Sequence, residues 1–167
     1  LARGQGWVYK PADRLHRSTQ DVLLEDELRA ALIRLNPEIA EQPDRADEVL
    51  YRLRAVLLSV KSDGLVRANE EFTTWLRGER SMPFGPNHEH TSVRLIDFEN
   101  IGNNHCVLTN QVIFQAGSQT RRFDLVLFVN GIPLVIGEAK TPTRPAISWV
   151  DGAVQVQDDY EVNVPAF

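Results

Sequence analysis

The sequence predicts an α/β fold: a mixed or antiparallel central sheet flanked by helices, preceded by an N-terminal helical region. Three observations predict it. Apolar residues in the first half recur with the 3.6-residue period of a helix face. Beyond about residue 90 the pattern changes to short apolar runs with the length and composition of strands. Two of those runs are separated by Asn130-Gly131, a hairpin-turn dipeptide.

Leu24, Leu28, Ala31, Leu32 and Leu35 form one helical stripe, and Asn36-Pro37 ends it, because the residue before a proline is pushed out of the α region. Val49, Leu53, Val56, Leu57 and Val60 form a second stripe, stopped by Asp63-Gly64, and a shorter helix is predicted over Leu65–Leu76. Residues 78–90 read as a loop, with Pro83, Gly85 and Pro86. His88-Glu89-His90 lies in it without a third nearby ligand and reads as solvated loop, not a metal site. Val93–Phe98, Cys106–Phe114 and Arg122–Val129 read as strands, with Pro133–Lys140 as the return strand of the last. A final helix is predicted from Ile147 towards Tyr160.

Length and composition fit this scheme. The 167 residues suit one domain, divided into a mainly helical part (1–90) and a sheet part (91–167). At 43% apolar and 25% charged residues the chain can build a core, so whole-chain disorder is excluded. No apolar run reaches the length of a membrane span, and no secretory leader is visible. Cys106 is the single cysteine, which excludes a disulfide scaffold and a multi-thiolate zinc site; a cytoplasmic location is expected. A start at Leu1 and a close at Phe167 suggest a piece of a longer protein. The net charge of −5 argues against a generic basic coat for nucleic acid. Residues 111–145 differ, with four basic groups (Arg121, Arg122, Lys140, Arg144) around two carboxylates, Asp124 and Glu138.

Those two carboxylates and Lys140 meet at the open end of the predicted hairpin. Glu138 and Lys140, two apart on a strand, share a face, and Asp124 lies across from them. Carboxylates are hard ligands for Mg²⁺, which polarises a phosphate and acidifies a bound water, while a lysine can orient that water and stabilise charge. The same triple also occurs as a surface salt-bridge cluster at a strand end. Register matters here. A regular two-residue turn at Asn130-Gly131 places Asp124 opposite Gly137 and leaves Asp124 and Glu138 on opposite faces. One ion could not hold both, so an irregularity is expected: a three-residue loop with Gly131 in a bulge, a five-residue loop, or a bulge at Gly137.

Asp124-x13-Glu138-x-Lys140 resembles the pattern of the PD-(D/E)xK nucleases. The run Arg121-Arg122-Phe123-Asp124-Leu125-Val126-Leu127-Phe128-Val129-Asn130-Gly131-Ile132-Pro133-Leu134-Val135-Ile136-Gly137-Glu138-Ala139-Lys140 resembles, more narrowly, the restriction (R) subunit of type I restriction–modification enzymes. So do Asp21–Leu28 with Leu35-Asn36-Pro37, Val93–Phe98, Asn104, Asn110-Gln111, and Tyr160 with Val164–Phe167. The resemblance implies a restriction-endonuclease-like core and an N-terminal nuclease domain of a DNA-cleaving, ATP-driven translocase. It implies Asp124, Glu138 and the backbone carbonyl of Ala139 as Mg²⁺ ligands (with Mn²⁺ able to substitute), with Lys140 as catalytic lysine. ATP would serve only a motor outside this chain. Partners would be double-stranded DNA and separate methylation and specificity subunits, with no membrane. Arg121, Arg122 and Arg144 are expected to hold DNA phosphates. The sequence departs from the family at Phe123, where a proline is usual. It departs also in the Gln-x-x-x-Tyr motif: four residues before Tyr160 stands Val156, flanked by Gln155 and Gln157. The DNA-contact role is assigned to Gln157 and Tyr160. The alternative is a catalytically silent DNA-binding or subunit-docking module that keeps the nuclease fold.

Overall fold

The computed structural model describes residues 6–139 and 149–164. In chain order the elements are β1 (Trp7–Tyr9), α1 (Glu25–Leu35), α2 (Pro37–Glu41), α3 (Arg45–Asp63), α4 (Leu65–Leu76), β2 (Ser81–Met82), β3 (Thr91–Ser92), β4 (Cys106–Ala116), β5 (Gln119–Val129), β6 (Ile132–Gly137), α5 (Trp149–Val154) and α6 (Glu161–Asn163). A π-helical stretch, Gln155–Tyr160, joins α5 to α6. The chain divides into two compact units. One holds the described parts of Leu1–Leu23, Cys106–Phe128 and Ile132–Phe167; the other holds Leu24–His105 with Val129–Gly131.

The second unit is built on the predicted apolar stripes. Leu28, Ala31 and Leu32 of α1 are buried, as are Ile39 of α2, Ala46, Val49, Leu50 and Leu53 of α3, and Ala68 and Trp75 of α4. Glu25, Asp26 and Glu27 in the first turn of α1 and Arg34 in its last complement the helix dipole. Asn36 leaves the helical region (φ −128°, ψ 110°), so Pro37 can open α2 as its first residue. The burial on α3 is confined to its first half, and Leu58 is exposed.

Val93–Phe98 requires a correction: strand pairing is limited to Thr91–Ser92, which joins β2 antiparallel, and the following residues are irregular. The apolar run is real, with Val93, Leu95 and Ile96 buried. Its hydrogen bonds go mainly to side-chain amides in place of a neighbouring strand. Asn36 accepts from the Arg94 N–H (2.7 Å) and donates to the Arg94 carbonyl (2.9 Å). Asn130 donates to the Leu95 carbonyl, and Asn104 accepts from the Asp97 N–H. A buried backbone must find partners, and here asparagines supply them. His88, Glu89 and His90 are exposed.

Gly131, in this same unit, explains itself by crowding. Its φ is +81°, and a Cβ at this position would lie 2.4 Å from the Leu24 carbonyl oxygen and 2.9 Å from the Leu28 nitrogen. The Leu24 N–H donates to the Gly131 carbonyl at 2.8 Å. Only a residue without a side chain fits.

The first unit carries a mixed sheet, order β1-β4-β5-β6. β1 lies parallel to β4, with Trp7 opposite Cys106 and Tyr9 opposite Leu108. The buried positions of β4 change parity midway, from Val107 and Thr109 to Val112 and Phe114, and Gln111 between them has a left-handed backbone (φ +55°). That is a β-bulge. The buried set of β5 changes parity likewise, from Val126 and Phe128 to Phe123. Among the described residues no helix is long and apolar enough to cross a membrane.

Candidate active site

Asp124 stands on β5 and Glu138 one residue past the end of β6. The return strand is thus shorter than the sequence suggested, ending at Gly137 and not at Lys140. The turn before it is two residues long, not the three-residue loop expected: Asn130 (φ +51°) and Gly131 (φ +81°) are both left-handed, and β6 begins at Ile132. A regular ladder from this turn would put Ile136 opposite Leu125. Instead a Cβ on Gly137 would sit 3.3 Å from the Leu125 Cβ, so the two share a face. β6 has therefore taken up one extra residue, where Leu134 and Val135 are exposed in succession. The slip reverses the parity of everything beyond it, and Asp124 comes within hydrogen-bonding reach of Glu138.

Both carboxylates are half-buried and held by named donors. The Ala139 N–H donates to Asp124 Oδ2 (3.0 Å), and the Gln111 side-chain amide donates to Oδ1 (3.0 Å). Tyr160 O–H donates to Glu138 Oε1 (2.6 Å). The Ala139 bond foremost holds the Asp124 carboxyl below the usual carboxylate range, with Gln111, Glu138 and the charge of Arg122 adding to it against partial desolvation. Burial first, and the Glu138 carboxylate second, push the Tyr160 phenol above its ordinary range, so it stays a donor. Its ring is buried and meets Phe123 edge-on, centroids 4.9 Å apart.

The glutamine partner of Tyr160 is a correction to the spacing argument. Gln157 is exposed. Gln155 donates to the Tyr160 hydroxyl at 2.6 Å. Residues 155–160 form a π turn, closed by i→i+5 bonding, and Gln155, five residues back, reaches the Tyr160 hydroxyl there. Arg121 also differs from expectation. Its guanidinium grips the Asp159 carboxylate through Nε (2.9 and 3.0 Å) and Nη2 (2.6 Å). Asp159 in turn accepts from Asn163 (2.8 Å). Arg121 thus ties β5 to the helix that carries Tyr160. Arg122 is exposed. Lys140 and Arg144 lie outside the described residues. Sequence reasoning missed Gln111, Gln155 and Asp159. The signal for the first was available, since the polar pair Asn110-Gln111 interrupts the apolar alternation of β4.

The donor set fits a hard divalent cation. Two carboxylates within reach of each other repel unless a proton or cation lies between them. Among the described residues no cluster of three or more His, Cys, Asp or Glu side chains gathers. The chain offers two carboxylates here, a sparse shell of the kind Mg²⁺ completes with water.

A family model described as type I restriction enzyme R protein N terminus matches residues 1–165. The endonuclease subunit of the type I restriction enzyme HindI of Haemophilus influenzae is 37% identical over 128 residues, 74% of this chain and 11% of that protein. A Methanocaldococcus jannaschii protein whose name assigns it to a type I restriction enzyme, MjaIXP, as an endonuclease subunit, is 28% identical over 148 residues, 82% of this chain and 14% of that protein. The chain spans a small fraction of the length of these relatives. No solved structure matches.

Proposed function

The chain belongs to the type I restriction enzyme R protein N-terminus family, and we propose that it is a Mg²⁺-dependent endodeoxyribonuclease domain that hydrolyses DNA phosphodiester bonds. The observation that carries the reading is the meeting of Asp124 and Glu138 through a register slip in a hairpin whose turn alone would separate them. Asp124, Glu138 and the carbonyl of Ala139 would hold Mg²⁺, with Mn²⁺ able to substitute. When bound, the ion would polarise the scissile phosphate and supply a water of lowered pKa for in-line attack.

The chain's own groups do the rest. Gln111 and the Ala139 N–H fix the Asp124 carboxylate by both oxygens. Tyr160, kept protonated, orients Glu138, and Gln155 orients Tyr160. Lys140, by resemblance, would place the attacking water. Arg122, exposed beside Asp124, would meet a phosphate, with Arg144, as the resemblance suggests; Arg121 serves position instead. ATP would drive a motor elsewhere in the longer protein, in a cytoplasmic complex with methylation and specificity subunits on double-stranded DNA.

The test is cleavage by the assembled enzyme carrying Asp124→Ala or Glu138→Ala in the R protein. Cleavage should fall to background while ATP hydrolysis continues. Undiminished cleavage by folded variants would leave the chain a silent DNA-binding or docking module.

A further inference from the structure

Gln111 combines two features that packing does not explain. Its backbone is left-handed (φ +55°), a region glycine enters freely and asparagine or aspartate tolerates, whereas a long side chain there is strained. Glycine would serve a backbone of this conformation better. The side chain does not serve burial either. Gln111 is exposed, so water could satisfy both its amide and the carboxylate it meets. Yet that amide reaches across from β4 to Asp124 Oδ1 at 3.0 Å. Strain kept at a residue whose side chain makes one specific bond to a candidate ligand points to a role in the site.

The geometry supplies the role. Asp124 Oδ2 is held from the β6 side by the Ala139 N–H, and Oδ1 from the β4 side by Gln111. Two donors, one on each oxygen, fix the carboxylate plane; with one alone the carboxylate can turn about its last torsion. We propose that Gln111 is a positioning residue for the metal-binding carboxylate: it aims its amide at Asp124 and holds that side chain towards Glu138. The inference rests on the reading of Asp124 and Glu138 as ligands of a divalent cation.

Outer groups that orient metal ligands typically change metal affinity or activity by roughly 10–100-fold when removed. The experiment measures Mn²⁺ binding to the full-length R protein without nucleotide, by calorimetry and electron paramagnetic resonance. It compares the native protein with Asp124→Ala, Gln111→Gly and Gln111→Met. The ion lost in Asp124→Ala identifies the site. Gln111→Gly relieves the backbone while deleting the amide, and Gln111→Met keeps side-chain length and backbone cost while deleting only the donor. Both should bind that ion roughly tenfold or more weakly, and the Mg²⁺ concentration for half-maximal cleavage should rise in step. The thermal midpoint of Gln111→Gly should hold or rise. If Gln111→Gly and Gln111→Met bind Mn²⁺ like the native protein while Asp124→Ala does not, the positioning role is overturned and the metal site stands. If Asp124→Ala itself binds unchanged, the metal reading fails, and this inference with it. Should Gln111→Gly prove unfolded, the strand needs the side chain for stability and Gln111→Met alone decides.

Discussion

Replacing Tyr160 with Phe removes one oxygen and leaves the rest of the side chain in place. The ring keeps its edge-on contact with Phe123, centroids 4.9 Å apart, so packing changes little. What is lost is a 2.6 Å hydrogen bond to Glu138 Oε1 and the acceptor for Gln155. A hydrogen bond to a charged group contributes about 1.5–3 kcal/mol, whereas the half-exposed Gln155 amide can turn to water at small cost. If the bond's work is to orient Glu138, cleavage by the assembled enzyme should fall roughly ten- to hundredfold at one factor of ten per 1.36 kcal/mol. ATP hydrolysis should be unchanged. Gln155→Ala, acting through Tyr160, should lose less, and Gln157→Ala almost nothing. Because the phenol's pKa is pushed above its ordinary range, Tyr160 stays protonated through neutrality. The ratio of mutant to native rates should therefore stay flat over about pH 6–9. Native-rate cleavage by Tyr160→Phe would refute the reasoning, as would a larger loss from Gln157→Ala than from Gln155→Ala.

Other substitutions test the frame around the site. Gly131→Ala combines the left-handed penalty, about 1–2 kcal/mol, with a forced shift of the Leu24 and Leu28 backbone, about 1–3 kcal/mol; its urea midpoint should fall sharply. The Asp97 carboxyl is held low by the Asn100 N–H first and the Asn103 side chain second, so it favours the fold above the ordinary carboxylate value and loses that effect as pH falls through its own lower value. Asp97→Asn should accordingly flatten the acid limb of a stability–pH curve below about pH 4. Arg121→Met and Asp159→Asn should each lower the thermal midpoint, and the double variant should be no worse than either alone, the signature of one shared interaction.

The helices were legible because burial there follows a simple period: Leu28, Ala31 and Leu32 on α1, then Val49 and Leu53 on α3, are where the stripes put them. The family too was legible, from an ordered succession of short matches along the chain. What escaped were the places where the backbone leaves its period. Val93–Phe98 is as apolar as a strand, but Asn36, Asn104 and Asn130 take over hydrogen bonds a strand would make, and no local pattern reveals partners so distant in sequence. Counting four residues back from Tyr160 misses Gln155, which bonds Tyr160 from five residues away within a π turn. The turn at Asn130-Gly131 is the two-residue kind its dipeptide signals and not the three-residue loop expected, so the irregularity that parity demanded lies elsewhere. Its position on β6 depended on packing around Leu125 and Gly137 that only coordinates reveal. Charge composition misled on Arg121, which looks like a phosphate contact until Asp159 is seen to occupy it.

The central claim is that Asp124 and Glu138 share one divalent cation. Crystals of the R protein grown with Mn²⁺, measured at the manganese absorption edge, address it directly. The account predicts an anomalous peak between the two carboxylates, about 2.0–2.3 Å from an oxygen of each, close to the Mg²⁺–oxygen distance, and absent from Asp124→Ala crystals. A protein in which the carboxylates bind no ion while DNA is still cleaved, or in which the peak survives Asp124→Ala, would contradict it.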